Sequence, residues 1–194
     1  MRKFLSLWFL AMIRPREAYD RLFEVPAPKW GLYSTLIRFM GTGITSILTL
    51  HLLNRRPFVP PYITFLTEAN YYKAEIFFLP LFGIAVWLLS SALIHLILRL
   101  SRVDSYIDWI MNVIGFSLLV VMPVVWLVDW VTIAMDVYGA NFTIPIHTAV
   151  SIWEVVLMAI GFKRIERLSW FTSAVLGFIV KAGVYIPLAA IFIR

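Results

Sequence analysis

Residues 151–170 read SIWEVVLMAIGFKRIERLSW. From Ile152 to Phe162 the stretch is apolar, with one carboxylate, Glu154, in its middle. It then stops at a turn crowded with Lys163, Arg164, Glu166 and Arg167, and apolar residues resume at Trp170. An apolar run that ends at a basic turn and restarts is the pattern of two membrane-crossing helices joined on the cytoplasmic side.

Composition supports that reading for the whole chain. Of 194 residues, 61% are hydrophobic and 14% charged, and the mean hydropathy is +0.86. Soluble domains are roughly 45–50% apolar and about 25% charged. A soluble fold of this length has no interior large enough for so much apolar surface, so lipid is the solvent. The chain has no cysteine, which excludes disulfides, thiolate metal sites and cysteine nucleophiles within it.

Five apolar spans are read at 32–53, 75–98, 109–131, 146–162 and 170–192, each near the ~20 residues that cross hydrocarbon as a helix. The first is the least apolar, interrupted by Arg38 and by several Gly, Ser and Thr residues. The fold class expected is an all-α integral membrane protein: an N-terminal segment, 1–30, ahead of a five-helix domain, 31–194. Twelve basic residues fall on one side of these spans and four on the other, with Lys181 inside the last span. The positive-inside rule then puts the N-terminus in the cytoplasm and the C-terminus outside, as an odd number of spans requires. The net charge of +6 is explained by that asymmetry, and no nucleic-acid partner is expected.

The opening MRKFLSLWFLAMI imitates a signal peptide, but RPRE follows it in place of a small-residue cleavage site. It is too short to span and reads as an interfacial amphipathic helix. RPREAYDRLFE continues at the surface, with Pro15 at a helix start. There Arg14, Arg16 and Arg21 are set to meet anionic headgroups. Arg38 lies shallow enough for its side chain to reach the same headgroup layer.

Glu154 has a candidate partner. Measured from the basic turn, Lys181 lies about four residues, roughly 6 Å, further out. Helical side chains lean toward their own N-terminus, so on antiparallel helices the two converge. Ser173, Gly177 and Lys181 recur every four residues, a small-residue stripe that admits a close neighbour. A Glu154–Lys181 pair either fixes the packing of this hairpin or marks a proton or ion path. A weaker idea is an outer metal site built from His51 and His147 with Asp129 or Asp136; otherwise these histidines make interhelical hydrogen bonds, and no resident metal or cofactor is expected. There is no phosphate loop, HExxH or GxSxG, so the chain does not read as an enzyme.

Three stretches carry a resemblance. IRPREAYDRLFE resembles the pre-membrane segment of the Yip domain family, five-span proteins named for interacting with Ypt/Rab GTPases. WEVVLMAIGFKRIERLSWFTSAV is similar to that family's fourth helix, terminal Gly and basic turn. NVIGFSLLVVMP is similar to its third-helix pattern, with Pro123 later than the pattern places it. The interfacial N-terminus and the lack of catalytic motifs point to a membrane scaffold that binds lipid and another membrane or peripheral protein, alone or as an oligomer. The short N-terminus is similar to prokaryotic members, which implies the cytoplasmic membrane and does not carry over the GTPase role. The alternatives are a small transporter or channel subunit using the Glu154–Lys181 pair, and an enzyme acting on lipid.

Overall fold

The computed structural model describes residues 2–24, 28–57, 62, 66–165 and 168–193, and among these the secondary structure is helical throughout. Glu166, Arg167 and Arg194, which contribute to the sequence reading of the turn and the charge asymmetry, lie outside the described residues.

Two short helices come first, α1 (Arg2–Ile13) and α2 (Pro15–Phe23). The first long helix is composite: α3 (Lys29–Thr42) passes through a π-helical stretch, Gly43–Ile47, into α4 (Leu48–Leu52). Next are α5 (Glu68–Leu100), then α6 (Ile107–Val120) and α7 (Met122–Ala134) joined at Val121, then α8 (Ala140–Phe162). The last helix is also composite, α9 (Trp170–Phe178), a π-helical stretch Ile179–Tyr185, and α10 (Ile186–Phe192).

Four of these helices are long and apolar enough to cross a membrane: Glu68–Leu100, Ile107–Ala134, Ala140–Phe162 and Trp170–Phe192. The composite Lys29–Leu52 helix is not among them, because Lys29, Arg38, His51 and its Gly, Ser and Thr residues lower its apolarity. Helix α5 starts seven residues before the expected boundary, at Glu68 rather than 75, since helical hydrogen bonding continues past the end of an apolar window.

Contacts fix the helix directions. Gly31 N donates to Asn112 Oδ1 (2.9 Å) and Ser46 Oγ to Asp129 Oδ2 (2.7 Å), so the first composite helix runs alongside α6–α7 in the same sense. Helix α8 runs the other way, with His147 beside Asp129 (3.2 Å) and Gly161 against Val113. The α3–α6 crossing is close because both helices place a glycine there. A Cβ on Gly31 would stand 2.3 Å from Met111 O, and one on Gly115 would stand 2.3 Å from Gly31 O. Helix α6 is the centre of the bundle, buried at every residue from Val113 to Val120.

Helices α1 and α2 dock on this centre. Phe4, Leu7 and Ala11 of α1 and Ala18, Tyr19 and Leu22 of α2 are buried, and Phe4 packs edge-on to Phe116. The apolar interior forms two clusters. One surrounds α6 and the docked helices; the other gathers Phe39, Ile47, Leu50, Leu79 and Phe82. The polar interior lies where they meet.

Candidate functional site

Arg38 is the hub. It stands two turns beyond Gly31 on the face of α3 that meets α6, and its side chain is only 7% exposed. That burial corrects the expectation of a headgroup-facing Arg38. Its depth along the helix was shallow, but its face points inward, and a nearer set of acceptors is available there. Nη1 donates to Leu118 O (3.0 Å) and to Glu154 Oε1 (2.5 Å), and Nη2 donates to the Tyr185 hydroxyl (3.1 Å).

Glu154 is fully buried and serves two cations, Arg38 through Oε1 and Lys181 through Oε2. Lys181 Nζ lies 3.7 Å from the centre of the Tyr185 ring, and the Arg38 guanidinium lies 5.1 Å from it. The ring's negative face therefore supports both cations. Two buried charges of the same sign need this much compensation, because an unpaired charge in a low-dielectric interior costs several kcal/mol. The structure thus brings Glu154 and Lys181 together and adds Arg38 and Tyr185. Sequence reasoning missed Tyr185, although its spacing of four from Lys181 was a usable signal.

A cavity of about 130 Å³ adjoins the cluster, lined by Arg38, Glu154, Lys181 and Tyr185 together with Glu75, Asp129, His147 and Ser151. It has room for about four waters at ~30 Å³ each. Asp129 is buried and accepts from Ser46 Oγ, while His147, nearly half exposed, faces its other oxygen at 3.2 Å.

The outer metal idea fares differently. Asp136 pairs with Arg55, His51 does not line the cavity, and no group of three His, Cys, Asp or Glu among the described residues could hold a metal ion. On the N-terminal helices, Arg14 and Arg21 both pair with Glu17 (3.6 and 2.6 Å) and remain largely exposed. Arg16 sits over the Trp170 ring at 5.5 Å, and Asp20 pairs with Arg164. Tyr19 reaches Ser117 Oγ from α2, and burial pushes its hydroxyl well above the usual tyrosine range.

The family model of the Yip1 domain matches residues 9–191, from within α1 to the end of the last helix. The chain belongs to the Yip1 domain family. No curated protein and no solved structure matches it. The resembling stretches fall at the joints of this Yip1 domain: Pro15 opens α2, Gly161 seats Val113 and Tyr19, and Gly115 makes the α3 crossing. Family membership and the apolar helices together make it an integral membrane protein.

Proposed function

We propose that this Yip1 domain is a non-catalytic membrane-organising scaffold. It crosses the cytoplasmic membrane of a prokaryote five times, with the N-terminus inside and Lys29–Leu52 as the first crossing. Its α1–α2 pair lies in the cytoplasmic leaflet interface and meets anionic headgroups and a membrane or peripheral protein partner. The observation that carries the reading is the two-sidedness of α1. Phe4, Leu7 and Ala11 pack on the bundle, while Leu5, Phe9 and Ile13 stay bare beside the exposed Arg14 and Arg16. A helix with a second apolar stripe and basic residues at its end suits a lipid interface. The first composite helix runs parallel to α6–α7, which supports its crossing in spite of its lower apolarity.

The test is hydrogen exchange on the protein in nanodiscs of phosphatidylglycerol and of phosphatidylcholine. Residues 2–24 should exchange more slowly in the anionic discs. Exchanging Arg14, Arg16 and Arg21 for Glu should remove that difference and leave α6 unchanged. Equal exchange of 2–24 in both lipids would sink the proposal.

The cavity beside the buried charges favours a second reading, a small transporter or channel subunit, because intramembrane charges facing a cavity often serve translocation. Proteoliposomes assayed for proton and alkali-cation flux decide between the two. Flux abolished by Glu154→Gln would replace the scaffold reading.

A further inference from the structure

The α6–α7 break is where the N-terminal helices and the buried charges meet. Helix α6 ends at Val120 and α7 begins at Met122 with Pro123 in its first turn. Proline has no N–H, so the carbonyl four residues before it, Leu119 O, lacks an i+4 donor. It accepts instead from the Val121 N–H at the helix cap and from Nε1 of Trp8 in α1, at 3.4 Å. One residue earlier, Leu118 O accepts from Arg38 at 3.0 Å. One residue earlier still, Ser117 Oγ donates to Val113 O (2.6 Å), and so accepts from the Tyr19 hydroxyl. Three consecutive residues therefore receive donors from α2, α3 and α1 in turn.

The three acceptors lie on the last turn of α6. Any shift of the break that lengthens the Trp8 or Tyr19 contact also moves Leu118 O, and with it the guanidinium that holds Glu154. Glu154 in turn holds Lys181, and Arg38 also holds Tyr185. The chain of contacts runs from the N-terminal helices to the last helix without a gap.

We propose that residues 117–119 are a coupling joint: undocking of α1–α2 from the bundle loosens the Arg38–Glu154–Lys181 cluster, and disruption of the cluster loosens α1–α2. This goes beyond the scaffold reading and requires neither a lipid preference nor transport. Coupling of this kind is reciprocal by thermodynamic necessity, so it is tested from both ends.

The perturbations are Trp8→Phe with Tyr19→Phe, which keep both rings and remove both donors, and Tyr185→Phe at the far end. The readout is hydrogen exchange of the full chain in bicelles. Trp8→Phe/Tyr19→Phe should speed exchange in 151–157 and 177–185 by about 5-fold or more, the low end of ordinary coupling. Tyr185→Phe should do the same to 4–22. Trp130→Phe removes a bond to Thr45 O at 3.0 Å, away from the joint, and serves as the control for general loosening. If the double variant does not fold, Trp8→Phe alone gives the same reading. Changes confined to the mutated element overturn the proposal, and so does an equal pattern from Trp130→Phe.

Discussion

Removing the charge of Glu154 should be far more harmful than removing that of Lys181. Glu154 is the single carboxylate bonded to both buried cations, at 2.5 Å from Arg38 and in contact with Lys181. Glu154→Gln leaves two like charges, both nearly fully buried, without their shared anion. Breaking a buried pair costs about 3–5 kcal/mol, and with two orphaned cations the upper part of that range applies, moderated by bilayer thinning and snorkelling. Lys181→Met leaves Arg38 on Glu154, with Leu118 O and the Tyr185 hydroxyl still engaged. Its cost should be about 1.5–3 kcal/mol, the range for a lost hydrogen bond to a charged group. The double variant Glu154→Gln/Lys181→Met removes the repulsion along with the anion. It should therefore be more stable than the sum of the singles by about 0.5–3 kcal/mol. Reversible unfolding in mixed micelles measures all three. The reasoning fails if Glu154→Gln is no worse than Lys181→Met, or if the two effects add.

The remaining expectations use the same preparation. Gly115→Ala should destabilise by about 1–3 kcal/mol, the cost of overpacking, since its Cβ would meet the backbone of Gly31; Gly139→Ala, with nothing within 4 Å, should be near neutral, and equal effects would deny the close crossing. The chain lacks cysteine, so one thiol introduced at Phe9 or at Arg21 can carry a depth-sensitive label. Both labels should report the cytoplasmic leaflet, with Phe9 the deeper; a Phe9 label at the midplane would make the segment a sixth crossing. Reporter fusions after Arg102 should read cytoplasm and fusions after Tyr138 exterior, and a periplasmic signal at Arg102 would invert the topology.

What was legible in the sequence was whatever depends on counting along the chain. The apolar runs gave the helices, because twenty residues of one character leave few alternatives in lipid. Distance from a shared turn, with the lean of helical side chains toward their own N-terminus, was enough to bring Glu154 and Lys181 together. What was not legible depends on which way a helix faces. Arg38 was assigned to headgroups on depth alone, yet Gly31, Thr35 and Arg38 share one face, and Gly31 is pressed against Gly115. Spacing of three and four from a glycine was the missed signal. Leu7 and Phe9 of α1 looked equivalent as letters, but one is buried and the other bare. No periodicity distinguishes two apolar stripes on one helix. The Leu118 and Leu119 carbonyls were hidden for a different reason, since a backbone acceptor leaves no mark on composition. Pro123 alone announced that one lacked its i+4 donor.

The π-helical stretch in the last helix explains how one face can supply Ser173, Gly177, Lys181 and Tyr185. Four residues overshoot one α-helical turn by about 40°, given 3.6 residues per turn. Three such steps would swing Tyr185 about 120° away from Ser173, toward lipid. The structure instead turns π-helical from Ile179 to Tyr185. There the i→i+5 bonding widens the turn, so that four residues fall short of a full rotation and offset the earlier drift. Gly177 is thereby kept close to the neighbouring helix, where a Cβ on it would stand 3.0 Å from Val155 O, while Lys181 reaches Glu154 and Tyr185 reaches Arg38. The extra residue in the turn leaves the inner stripe straight over its length, which an uninterrupted α-helix of the same sequence would not. The polar cluster and the π-helical stretch are thus one feature: the charges need four positions in line, and the wider turn supplies the fourth.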